Sequence, residues 1–133
     1  MIKLIFLIRK KKGMTSAAFR KHYETTHVGI ATEHFGDLIL DYRRNYPTSA
    51  SVNPVDNSGD VKSQDSAVPY DAVTEMLLQD QTALDEMLRR FASPELHAMI
   101  AEDEAAFMDR AALTMMVCEE VASWSLHDRI GKR

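Results

Sequence analysis

Residues 2–9 read IKLIFLIR, and this octet constrains the architecture more than any other segment. It is rich in branched and aromatic residues, as strands are. One face carries Ile2, Leu4, Phe6 and Ile8, and the other carries Lys3, Ile5, Leu7 and Arg9. The second face is apolar in its middle and charged at both ends. A strand apolar on both faces is covered on both sides, so the sheet it joins needs two covers.

Lys12-Gly13 breaks this strand, and Thr15 or Ser16 caps the helix that follows. Phe19, Tyr23, Thr26, His27 and Ile30 fall at helical spacing on one face. Gly29 reads as a stop or kink, with a short helix from Ile30 to Phe35 ending at Gly36. LILDYRRNY, residues 38–46, reads as a second strand that Pro47 ends. Leu38, Leu40, Tyr42 and Tyr46 share one face of it, and Ile39, Asp41, Arg43 and Asn45 the other. Residues 48–69 are polar and turn-forming, a loop length associated with lids or disorder. YDAVTEMLL, residues 70–78, reads as the third strand. Thr82 with Asp85 resembles a capping box ahead of the stripe Leu84, Met87, Leu88 and Phe91. Ser93-Pro94-Glu95 restarts a helix that continues through Asp109. ALTMMVCEEV, residues 112–121, reads as the last strand, and residues 122–133 form an amphiphilic tail.

The order β-α-β-β-α-β is the split βαβ or ferredoxin-like arrangement of the α+β class. It predicts one domain over residues 1–121, a four-stranded antiparallel sheet with two helices on one face. The helices cover one face only. A second copy of the chain is the economical cover for the other, which predicts a homodimer with two sheets face to face.

Composition narrows the function. The chain has 133 residues, enough for one core, and a net charge of −4. That charge argues against a nucleic-acid binder, and the run Arg9-Lys10-Lys11-Lys12 reads as a solvated strand exit. The single cysteine, Cys118, excludes an internal disulfide and reads as a buried structural thiol, which suits a reducing cytoplasm. The apolar N-terminal run is too short to span a bilayer, its basic residues follow it, and no small-residue cleavage site appears, so neither a membrane segment nor a signal peptide is expected. His22, His34, His97 and His127 lack metal-ligand spacing, and there is no H-E-x-x-H, cysteine pair or glycine-rich phosphate loop. No metal or cofactor is expected. The methionine-rich set reads as adaptable core.

His27 is the leading candidate for chemistry, because imidazole exchanges protons near neutral pH. Its place at the end of a helix would favour the charged form. Tyr23, one turn earlier, would orient the ring or donate a proton. The alternative is a core histidine that caps the helix or bonds to the sheet. Glu75, mid-strand, needs a partner if buried. Arg43 or Arg44 could supply it as an ion pair, or Glu75 could be a base with raised proton affinity. Asp71 lies about 13 Å from it along the strand, too far for a carboxylate dyad. Tyr42, Asn45 and Tyr46 could present polar groups to a carbonyl or phenol, or be core residues. Trp124 could close a pocket or pack on a partner chain.

Four segments in order carry a family resemblance. MIKLIFLIRKKKGMTSAAFRKHYETTHVGIA resembles the start of EthD-domain proteins, with a strand, a G-M-S/T turn, a helix bearing Phe and Tyr or Trp, and then a histidine. DYRRNY resembles that family's second strand, YDAVTEMLL its third, and DEAAFMD with the CEEV strand its C-terminal signature. The resemblance covers residues 1–121. It implies a dimeric α+β barrel and small-molecule chemistry without a tightly bound metal or nucleotide. Relatives of that fold include polyketide cyclases, decarboxylases or dehydratases, and muconolactone-type isomerases. It singles out His27 and leaves Lys21 and His22 in surface roles. Two departures stand out: Val28-Gly29 where the family often has a proline soon after the histidine, and the longer loop at 48–69. The expected function is cofactor-independent proton-transfer chemistry of the lyase, cyclase or isomerase type. The substrate would be a small hydrophobic carbonyl compound, cyclic or aromatic. His27 and Tyr23 would be catalytic, with Arg43, Asn45, Tyr42, Glu75 and Trp124 toward the substrate. The alternative is a non-catalytic dimer that binds a small ligand or assists an oxygenase.

Overall fold

The computed structural model describes residues 1–52 and 65–123. Trp124, most of the tail and residues 53–64 of the long loop lie outside the described residues.

The four main strands are β1 (Ile2–Ile8), β2 (Ile39–Asn45), β5 (Ala72–Leu78) and β6 (Thr114–Glu119). They form one antiparallel sheet in the order β2-β5-β1-β6. A small ladder joins β3 (Ala50–Ser51) to β4 (Asp65–Ser66) within the long loop. Helices α1 (Ser16–His22), α2 (Val28–Phe35), α3 (Gln81–Phe91) and α4 (Pro94–Phe107) connect the strands. This is the expected ferredoxin-like α+β arrangement.

Burial alternates along β5, where Ala72, Thr74, Met76 and Leu78 are buried and the residues between them are half-buried. These four face the helices with Leu4 and Ile8 of β1. Two core clusters result. One holds Leu4, Phe35, Met76, Leu78, Leu84, Met87 and Ile100. The other holds Ile8, Phe19, Tyr23, Ala72, Phe107 and Met108, and Phe6 packs against both. On the opposite face Ile5, Leu7, Val73 and Leu77 are only half-buried and Met116 is exposed. Cys118 lies on that face too, half-buried rather than in the core as expected.

Several local expectations are corrected. In β2 the pairing shifts between Ile39 and Asp41, so Ile39 and Tyr42 both face the helices while Leu40 is 54% exposed. A bulge inserts one residue and resets the alternation, which a strict period of two does not foresee. Helix α3 is capped by Asp80, whose carboxylate accepts from Ala83 N at 2.9 Å, not by Thr82. Thr15 caps α1 as expected, accepting from Ala18 N. Gly13 adopts φ +80° in the turn before it, a region L side chains avoid.

The largest difference lies between α1 and α2. The chain does not stop at Gly29; residues Tyr23–His27 form a π turn, and the helix runs on to Phe35. The turn closes with Val28 N–H donating to Tyr23 O. His27 is therefore internal to a helical segment, and the expected C-terminal dipole does not act on it. Thr26, expected on the inner face, is exposed.

Candidate active site

An apolar cavity occupies the seam between the two core clusters. About 60 Å³ of it admits the centres of water-sized groups, inside a larger hollow of about 540 Å³ that opens toward solvent. Phe6, Tyr42, Met76, Met87, Ile100 and Leu113 supply much of its wall. Two titratable side chains, His27 and Glu104, reach the same wall. A wider surface groove shares Phe6, Phe91, Ile100, Glu104 and Leu113 with it and carries His97 and Arg110 at its edge.

His27 is fixed on three sides. Its Nδ1 lies 2.8 Å from Asp103 Oδ2, the Tyr23 ring meets it edge-on at 5.3 Å, and Phe107 lies at 5.1 Å. His22 Nε2 lies 2.8 Å from the other oxygen of the same carboxylate, and its ring stacks on Phe107 at 4.7 Å. The Asp103 side chain is 8% exposed, against 24% for His22 and 16% for His27. A carboxylate only accepts, so both facing nitrogens carry hydrogen. In the neutral ring His27 Nε2 is then the nitrogen with a free lone pair.

The π turn explains why one carboxylate meets both imidazoles. In an α-helix of 3.6 residues per turn, side chains five apart point about 140° away from each other. A π turn bonds i to i+5 and brings such residues onto one side. His22 and His27 are five apart.

The Tyr23 hydroxyl is buried and bonded to Thr74 Oγ1 at 2.6 Å. Burial pushes its proton affinity up, so it stays a phenol. Its ring orients His27, while its hydroxyl is engaged with the sheet. Tyr42 lines the cavity; burial holds its hydroxyl protonated, and among the described residues the hydroxyl makes no hydrogen bond although the Tyr23 hydroxyl is near enough to influence it. Glu104 has its carboxyl pushed above the usual carboxylate range by burial, which outweighs the attraction of neighbouring His27 and Arg110. Arg110 Nε lies 3.7 Å from it.

A second network braces the π turn from below. Glu24 accepts two bonds from Arg44, at 2.7 and 3.0 Å, and a short one from the Tyr46 hydroxyl. Arg44 holds the Glu24 carboxyl below its usual range against the opposing effect of burial. Arg20 lies over the Tyr46 ring at 4.5 Å.

Three expected site residues are elsewhere. Arg43, Asn45 and Glu75 lie on the sheet face away from the helices, so they do not reach the cavity of His27. Arg43 is 70% exposed and bonds Asp41 at 2.7 Å. The partners of Glu75 are Asn45 Nδ2 and Lys3 Nζ, both at 3.1 Å, and not an arginine. These two bonds, Asn45 first, lower its proton affinity, the reverse of a raised base. Conversely, His22 is not a plain surface residue, and Asp103 and Glu104 were not singled out. The signal for them was two acids side by side within the DEAAFMD stretch of a helix facing the first one. No set of three or more His, Cys, Asp or Glu among the described residues is arranged to hold a metal ion, and no helix there is long and apolar enough to cross a membrane.

Among proteins of curated function none matches the chain. Solved structures do. An EthD-family protein of Bacillus halodurans C-125 superposes with a TM-score of 0.58 at 22% identity, over 91% of this chain and 99% of that one. An EthD-like protein of Ralstonia eutropha JMP134 gives 0.60 at 15% identity, over 93% and 95%. HapK of Hahella chejuensis gives 0.58 at 12% identity, over 94% and 97%. At these identities the likeness is one of fold. The sequence profile of the EthD domain matches residues 11–111, most of the chain and the whole His27 helix, Asp103 and Glu104 included. The chain belongs to the EthD-domain family.

Proposed function

We propose that the chain is a cofactor-independent enzyme of the lyase, cyclase or isomerase type acting on a small hydrophobic carbonyl compound, cyclic or aromatic. One observation carries the reading. His27 lines an apolar cavity while its Nδ1–H is held by Asp103, which leaves Nε2 as a base. A proton on carbon next to the carbonyl passes to Nε2, and the C–H electron pair moves into an enolate. Glu104, which burial keeps closer to its protonated form, stands on the same wall to hydrogen-bond the enolate oxygen. His27 then returns the proton to a neighbouring atom, or a leaving group departs.

General acid–base groups contribute about 10²–10⁴-fold in rate. A panel of aromatic lactones, ketones and phenols, screened by the shifts of the histidine ring signals, identifies ligands for turnover assays. His27→Gln is expected to lower turnover of a hit at least 100-fold. A folded His27→Ala that keeps full turnover would falsify the mechanism. If ligands bind and none reacts, the protein sequesters its ligand instead.

The reading includes a homodimer in a cytoplasmic setting. The half-buried Ile5, Leu7, Val73 and Leu77 with exposed Met116 form an apolar field on the sheet face the helices leave open. A second copy is its natural cover. Light scattering is expected to report twice the chain mass, and Leu77→Lys to halve it.

A further inference from the structure

Proton transfer by His27 uses only half of the Asp103 arrangement. Both carboxylate oxygens are occupied, one by each imidazole, at 2.8 Å. Asp103 is nearly closed to solvent, and His22 is the more exposed of the two rings. His22 is also stacked on Phe107, which touches His27 as well, so one aromatic ring backs both. A surface histidine needs neither contact. The π turn that aligns the two rings is itself a departure from regular helix, of a kind that recurs at functional sites.

We propose that His22 is a positioning residue for His27: it pins the second oxygen of Asp103 and shares that one negative charge, and so sets how strongly His27 holds its proton. The inference rests on the reading of His27 as the proton carrier. Its physics is that of two bases on one acid. The first imidazole to take a proton is stabilised by the carboxylate. The second finds that charge already neutralised and a like charge across it, so the two titrate as a pair and not as separate sites. Among the described residues, Glu104 of α4 and Tyr23 of the π turn also face His27, and His97 and Arg110 act in turn on Glu104. Among the described residues only Asp103 bonds both rings.

The arrangement also fixes tautomers. In its neutral form His22 carries hydrogen on Nε2 and is bare at Nδ1, whereas neutral His27 carries it on Nδ1 and is bare at Nε2. Each state follows from the nitrogen that faces the carboxylate.

The test is a proton–nitrogen NMR titration of the full chain, which reads tautomer and charge at each ring without a substrate. In the wild type His22 and His27 are expected in opposite tautomers, with two-step titration curves that share their inflections. His22→Phe keeps the stack on Phe107 and removes the donor. It is expected to raise the proton affinity of His27 up to about tenfold, since Asp103 then serves one ring. His22→Gln restores a neutral donor and should fall between the two. Independent one-site curves in the wild type, with an unmoved His27 in His22→Gln, would overturn the proposal. The wild-type curves decide the matter even if His22→Phe does not fold. A turnover-competent His27→Ala defeats the catalytic reading and leaves the titration untouched, so the two failures are told apart.

Discussion

Asp103→Asn strikes the shared carboxylate with the smallest change of shape. Asp103 accepts from two imidazoles, and hydrogen bonds to a charged group are worth about 1.5–3 kcal/mol each. Asparagine keeps one accepting oxygen and turns an NH₂ toward the other imidazole N–H. One bond survives in weaker, neutral form, and one donor faces a donor. The rings are 24% and 16% exposed, so water recovers part of the loss. A net cost of about 3 kcal/mol is reasonable on these terms. Unfolding entropy of about 2.1 cal/mol/K per residue gives about 280 cal/mol/K for a chain of this length, so the thermal midpoint should fall by about 11 °C. The assay is thermal unfolding followed by circular dichroism, paired with the nitrogen NMR readout. One histidine of the pair should lose its fixed tautomer. A midpoint within about 2 °C of the wild type, with both tautomers unchanged, would refute the shared-acceptor reasoning.

Other substitutions probe the surroundings. Glu104→Gln removes a carboxyl whose folded-state proton affinity is raised by burial. Such a group favours the fold while protonated and loses that contribution as pH rises, so the variant should be more stable than wild type at pH 7, with the gain gone by about pH 4. Glu24 is the opposite case, lowered mainly by Arg44. Its contribution is present above the unfolded carboxylate value of about 4.3 and is lost as pH falls through the lower folded value, so Glu24→Gln should flatten the acid limb of a urea-midpoint profile. Tyr23→Phe leaves the Thr74 hydroxyl buried without its partner. A cost of about 1–2 kcal/mol, or about 4–7 °C, is expected by calorimetry. Gly13→Ala forces a side chain into φ +80° and should cost about 1 kcal/mol by chemical denaturation.

The element order was legible because strand signals are local. The two-sided apolarity of IKLIFLIR and the alternation of AVTEMLL survive any change of context. His27 was legible for a similar reason, four residues after Tyr23 on a stripe that had to meet the sheet. Its partner was not. Asp103 sits 76 residues away, on a helix whose packing against the first is a tertiary fact. His22 was left in a surface role because the family resemblance singled out His27 alone, and nothing in a pattern count announces a π turn. The bulge in β2 misled in the same way: one extra residue reset the faces and made Ile39, not Leu40, the core residue. Arg43, Asn45 and Glu75 were read as belonging with His27 because they are polar and mid-strand, and the sequence does not say which sheet face the helices take.

The closing bond of the π turn depends on the residue that follows His27. Val28 supplies the N–H that reaches Tyr23 O. Proline has no N–H to give, and EthD-domain sequences that resemble this one often carry a proline soon after the histidine. A proline at 28 would open the loop of backbone that holds Tyr23 and His27 at their present spacing. The five-residue turn also acts as a phase shift in the helix. Losing one residue from it would rotate everything downstream by about 100°, taking Ala31 and Phe35 out of the core along with His27 from its acid. The length of this segment is therefore held by two independent constraints, one structural and one chemical. Insertions and deletions between His22 and Val28 should be far rarer among functional descendants of this chain than substitutions at the same positions.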